Sequence, residues 1–113
     1  MKKNSQNSSN YIKQLINVDS SIKNAMKIID DSGGKCLFVV DKKNHFLGSL
    51  SDGDIRRSIL NGKSFKDSIS GIYNIKAHFV FENELNNEKV NKIMKNNYLD
   101  SLPVLNKNKI LLN

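Results

Sequence analysis

The stretch Gly48-Ser-Leu-Ser-Asp-Gly-Asp-Ile-Arg-Arg57 decides how this chain reads. It sits where a short apolar strand gives way to a helical pattern. Ser51 places a small hydroxyl three residues ahead of the Asp54 carboxylate, and Arg56 and Arg57 follow. A helix N-terminus presents unpaired N–H groups and the positive end of the helix dipole, both of which favour anions. A carboxylate beside such a turn accepts hydrogen bonds from a vicinal diol, and a serine hydroxyl serves a phosphate. This is chemistry suited to a phosphorylated, ribose-bearing ligand. The same residues also read as capping, with Ser51 or Asp52 at the N-cap, Asp54 answering the dipole and the arginines solvated. Both readings stay open at this level.

Working outward, residues 20–33 read as a helix. Ser20 or Ser21 caps it, and Ile22, Ala25, Met26, Ile28 and Ile29 recur at helical spacing before Gly33-Gly34 ends it. Cys36-Leu-Phe-Val-Val40 is a β-prone run of the kind that forms a buried strand. Asp41 to His45 make a polar turn, and Phe46 to Leu50 a second strand. Asp52 to Leu60 form a second helix, with Ile55, Ile59 and Leu60 facing inward and Asn61-Gly62 closing it.

The same order returns at an offset of 65 residues. Val90, Ile93 and Met94 fall where Ala25, Ile28 and Ile29 stand. Leu102-Pro-Val-Leu105 matches Leu37-Phe-Val-Val40, Asn106-Lys-Asn-Lys109 matches Asp41-Lys-Lys-Asn44, and Leu111-Leu112 matches Phe46-Leu47. Each half is too small to bury its own faces, so the repeat predicts two packed, pseudo-symmetric halves. The counterpart of Gly48 is Asn113, the last residue. The second half therefore stops before any equivalent of Ser51, Asp54 or the helix after them, which reads as a piece of a longer chain or a module covered by a partner.

With 113 residues, the chain has room for one domain or two half-size units. No apolar run approaches the roughly 20 residues of a membrane span. The N-terminal stretch lacks the apolar region of a signal peptide and reads as a flexible lead-in, which predicts a cytoplasmic protein. A lone cysteine, Cys36, has no disulfide partner and reads as a buried thiol. The net charge of +7 raises nucleic acid as a partner. The lysines, however, are scattered and have no aromatics between them, which argues against that partner. His45 and His78 lack a nucleophile or ligand spacing beside them, His45 reads as solvent-facing, and no phosphate-loop, dinucleotide or zinc pattern appears. The chain reads as non-catalytic and as holding no metal.

In this setting the residues resemble a known family. The helix–strand–strand–helix unit, the run Cys36-Leu-Phe-Val-Val-Asp41 and the signature Gly48-x-x-Ser51-x-x-Asp54 are similar to a cystathionine-β-synthase (CBS) domain. The second half is similar to its tandem partner, so residues 12–113 resemble a CBS pair, or Bateman module. The resemblance implies an α/β fold of the α+β type, with two pseudo-symmetric β-α-β-β-α halves, the second lacking its final helix. It divides the chain into a flexible lead-in at 1–11, a first CBS motif at 12–66 and a truncated second motif at 67–113. Ser51-Asp-Gly-Asp-Ile-Arg-Arg57 with Leu60-Asn-Gly-Lys-Ser64 is similar to CBS pairs that precede the catalytic domain of sugar-phosphate nucleotidyltransferases. It is less similar to those of arabinose-5-phosphate isomerases.

The resemblance implies a sensor of AMP, ADP, ATP or S-adenosylmethionine, bound in a cleft between the half-sheets. Asp54 then holds the ribose and Ser51 the phosphate. Val18, Asp19 and Ser20 line the base pocket, and Lys35, Cys36 and Leu37 meet base or ribose through backbone groups. Arg56 and Arg57 face phosphate or an attached domain, or lie in solvent. The second half lacks the signature, so one site per chain is expected. The competing expectation is a ligand-free association module, a homodimer or docking unit joined through helix faces bearing Ile55, Ile59, Val90, Ile93 and Met94.

Overall fold

Leu37-Phe-Val-Val40 forms the strand around which the molecule is built, and all four residues are buried. Successive side chains of a strand point to opposite faces. Leu37 and Val39 therefore enter one cluster, with Ile16, Ile22, Ala25, Ile29, Leu50, Ile55 and Ile69. Phe38 and Val40 enter a second, with Leu105 and Leu111. An unbroken apolar run is what a strand covered on both faces requires.

The computed structural model describes residues 14–97, 99 and 101–112, so the lead-in expected at 1–11 lies outside the described residues. Strand β1 (Leu15–Asn17) pairs parallel to β2 (Leu37–Val40), and β3 (Phe46–Leu50) pairs antiparallel on its other side. Helix α1 (Ile22–Asp31) joins β1 to β2, and α2 (Asp52–Leu60) follows β3. In the second half β4 (Val80–Phe81) lies parallel to β5 (Val104–Leu105), joined through a 3-10 turn (Glu82–Glu84) and α3 (Asn87–Asn96). The architecture is the mixed α+β fold expected, with the helix after β5 absent among the described residues.

The repeat extends to individual hydrogen bonds. Ser21 caps α1 by accepting from the Asn24 N–H (3.1 Å), and Asn86 caps α3 by accepting from the Lys89 N–H (3.1 Å). Asp41 accepts from the Lys43 and His45 N–H groups, while Asn106 accepts from those of Asn108 and Ile110. Both turns then pass through a left-handed residue, Asn44 (φ 66°) in one and Lys109 (φ 64°) in the other. Each pair of equivalents lies 65 residues apart.

Helix α1 is shorter than the expected 20–33. Ser21 is extended, and Gly34 and Gly33 fold back to the Ile29 and Asp30 carbonyls in a Schellman turn. Gly33, at φ 82°, supplies the left-handed conformation that this ending needs. Strand β5 is shorter than the matched run 102–105, because Pro103 has no N–H to pair. The expected strand at 111–112 is reduced to a bridge between Leu111 and Leu105. A chain of edge-to-face rings, Phe38–Phe46–Phe79–Phe81, knits the halves together at centroid spacings of 6.2, 6.1 and 5.2 Å.

Ile55 is 2% exposed and Ile59 packs against the first core, so the face of α2 expected at a dimer interface is used internally. Leu60, expected to face inward, is instead exposed at the end of α2, and Met26, Phe65, Ile75, Leu85 and Leu112 are also open among the described residues. His45, expected in solvent, is half-buried with Nδ1 3.0 Å from the Asp41 carboxylate. Ile69 is fully buried in the first core although it falls past residue 66 in sequence.

Candidate functional site

Strand β3 ends at the signature, and its glycine has a steric reason. A Cβ on Gly48 would lie 2.3 Å from the Asn74 carbonyl oxygen and 2.8 Å from the Tyr73 ring. The segment after α2 passes so close because Ser49 and Asn74 exchange both backbone hydrogen bonds, at 3.1 and 2.7 Å. This pairing directs the chain onward to Ala77 and His78, which then line a cleft between the halves.

That cleft is lined by Cys36, Phe38 and Ser49 from the first half and by Ala77, His78, Leu99, Ser101 and Pro103 from the second. Cys36 and Ser101 occupy equivalent places in the repeat, as do Phe38 and Pro103, so the cleft straddles the pseudo-symmetry. Its volume of about 140 Å³ is below the roughly 300 Å³ at which ligand pockets usually begin. Burial pushes the Cys36 thiol up, the Ser49 hydroxyl and the Leu50 backbone draw it partly back, and the Asp54 charge adds to the rise.

Ser51 and Asp54 form a capping box at the start of α2. The Asp54 N–H donates to Ser51 Oγ (3.1 Å), while Asp54 Oδ2 accepts from the Ser51 N–H (2.9 Å) and hydroxyl (3.0 Å). Arg57 Nη2 donates to the other carboxylate oxygen at 2.9 Å, and its guanidinium lies over Gly53. Arg56 instead pairs with Asp52 and is exposed. A second cavity of about 320 Å³ opens beside Asp54 and Arg57, with Asn61 and Lys63 on its wall.

The other expected residues lie elsewhere. Leu37 is fully buried in the first core and Lys35 is exposed. Val18 packs against that core, Asp19 is exposed, and the Ser20 carbonyl accepts from the Ile69 N–H at 2.9 Å. None of these five lines the cleft between the halves. Cys36 does line it, and it is half-buried rather than buried. Sequence reasoning missed Ala77, His78, Leu99, Ser101 and Pro103. The signal that locates Ser101 and Pro103 was present, since the repeat maps them onto Cys36 and Phe38.

Two pseudo-symmetric α+β halves with a cleft between them, and a capped Ser-x-x-Asp turn directly after β3, define a tandem small-domain module. Residues 13–61 match the family model of the CBS domain. The fold is shared with a CBS domain pair/ACT domain protein from Thermotoga maritima (TM-score 0.72, 18% identity, 86% of this chain and 75% of that one). Staphylococcus aureus OpuCA is similar at TM-score 0.70 and 26% identity, over 87% of this chain and 79% of that one. The cytosolic domain of the Mg2+ channel MgtE, solved in complex with ATP, matches at TM-score 0.70 and 18% identity. There the likeness covers 88% of this chain but only 40% of the other. No curated protein matches the chain by sequence. No helix among the described residues is long and apolar enough to cross a membrane.

Proposed function

We propose that the cleft binds an adenosine nucleotide and that the chain is a non-catalytic regulatory module. The observation that carries this reading is the convergence of both halves on one cleft, at the equivalent residues Cys36 and Ser101, with the Ser51–Asp54 turn two residues past Ser49 on its wall. Asp54 holds the ribose hydroxyls, Ser51 and the N-terminus of α2 face the phosphate, and Arg57 shifts from Asp54 toward it. A fold shared with a domain solved in complex with ATP supports the choice of ligand class. Because the cleft is small, binding must part the halves. A ligand that favours the parted arrangement shifts the population toward it, and an attached domain reports the shift. The attached or neighbouring domain is a sugar-phosphate nucleotidyltransferase, a reading supported by Ser51–Arg57 and Leu60–Ser64.

A thermal-shift titration with AMP, ADP, ATP and S-adenosylmethionine tests the reading. At one hundred times its dissociation constant, the ligand stabilises the fold by about 2.7 kcal/mol. For a domain of this size that is a rise of several degrees. Asp54→Ala abolishes that rise and lowers stability by about 1 kcal/mol through the lost capping box. An unchanged affinity in this variant refutes the ribose role.

A second reading rests on the same capping box, in which Ser51 and Asp54 already satisfy one another. The module then works by association, with Met26, Leu60 and Phe65 open to a second copy. A dimer in sedimentation with no thermal shift from any of the four ligands selects it.

A further inference from the structure

Two polar side chains are buried among the described residues, Gln14 and Ser58. Ser58 donates to the Ile55 carbonyl within its own helix at 2.7 Å. Gln14, 5% exposed, reaches both halves. Its Nε2 donates to the Cys36 carbonyl (2.9 Å) in the first half and to Ser101 Oγ (3.2 Å) in the second. Its own carbonyl accepts from the Phe38 N–H at 2.6 Å, which pins its main chain to β2. Cys36 and Ser101 are the equivalent residues that line the cleft from its two halves. One amide therefore ties the two walls together.

A buried amide deprived of its partners is costly, so these bonds resist parting of the walls. We propose that Gln14 is a positioning residue that clamps the cleft shut, and that parting the halves breaks its bond to Ser101. The bond to Cys36 is shorter and stays within the first half, so the crossing bond is the one that yields. This deepens the nucleotide reading above and rests on it only for the ligand. The clamp sets the closed–open balance that a nucleotide has to shift.

Cys36 lines the cleft and is the chain's one cysteine, so its rate of labelling by a neutral thiol reagent reports opening. The comparison is the full chain against Gln14→Leu, which keeps an apolar bulk and removes both bonds, and Ser101→Ala, which removes only the crossing bond. Circular dichroism and thermal melting confirm folding, and Ser101→Ala carries the test where Gln14→Leu fails to fold. Labelling is expected to be roughly three- to tenfold faster in both variants. ATP is expected to bind Gln14→Leu tighter by a similar factor. Unchanged labelling in folded Ser101→Ala overturns the clamp. Faster labelling with weaker ATP binding to Gln14→Leu overturns the claim that the closed cleft opposes ligand. Faster labelling with none of AMP, ADP, ATP and S-adenosylmethionine bound by any of the three proteins supports the clamp and refutes the nucleotide reading instead.

Discussion

Helix α1 buries Ile22, Ala25 and Ile29, whereas α3, which holds the same place in the repeat, buries none of its residues. The two helices have the same length and the same kind of cap, and Val90, Ile93 and Met94 stand in the register of Ala25, Ile28 and Ile29, although Asn87 stands where Ile22 does. The rest of their difference lies in what stands beside them. In the first half α2 packs next to α1, and Ile69 closes the cluster from the segment that follows. No helix among the described residues does this for α3, so Val90, Ile93 and Met94 stay half-buried. Capping and periodicity make a helix. Burial, which supplies most of its stability in a protein, depends on neighbours that its own sequence does not specify.

Paired truncations test that contrast most severely. Ile29→Ala should cost about 3 kcal/mol, as expected for a buried isoleucine, while its equivalent Met94→Ala should cost about 1 kcal/mol. Urea denaturation of the two variants gives the comparison. Equal losses would mean that α3 is packed as firmly as α1.

The next largest effect lies within the signature. Gly48→Ala should destabilise by about 1–3 kcal/mol, because the new methyl meets the Asn74 backbone at 2.3 Å and backbone cannot swing aside. Gly53→Ala should instead be stabilising by about 0.5 kcal/mol. Its nearest neighbour is the end of the mobile Arg57 side chain at 3.2 Å, and alanine favours helix. A melting series that ranks the two glycines the other way would break the account of how the chain after α2 is held against β3.

The smallest effect distinguishes the two equivalent turns. The His45 backbone N–H, foremost, holds the Asp41 carboxyl below its ordinary range, and Asn106 fills the same place in the second half without a charge. A depressed carboxylate adds stability that is full above its unfolded value of about 3.9 and fades as pH falls through the lower folded value. Asp41→Asn should preserve the turn, as Asn106 does, and remove that acid-side loss. Thermal melts from neutral pH down past pH 4 should therefore show the wild type losing more stability than the variant. Parallel curves would place the pH dependence elsewhere.

Much of this arrangement was legible in the chain itself. Residues 52–60 were read as a helix with the bounds observed, because Ser51, Asp54 and the Asn61-Gly62 stop are local signals. The buried strand read at 36–40, and observed at Leu37–Val40, followed from an apolar run that only a doubly covered strand tolerates. The site was less legible. Ser51 and Asp54 stood out by spacing, yet whether they cap the helix or face a ligand depends on their surroundings, and among the described residues they do cap it. Ala77 and His78 carry no pattern of their own. They reach the cleft because Asn74 pairs with Ser49, a contact between residues 25 apart that no periodicity encodes.

The sequence by itself determined the helices and the two equivalent turns, since each rests on residues within a few positions of one another, and the repeat, which a constant offset of 65 residues displays. Only the tertiary structure decided which faces are covered, why Gly48 has to be glycine and how Gln14 joins Cys36 to Ser101. Those outcomes rest on contacts between segments as many as 87 residues apart. Such contacts form only where packing brings the segments together, and packing is a property of the whole fold.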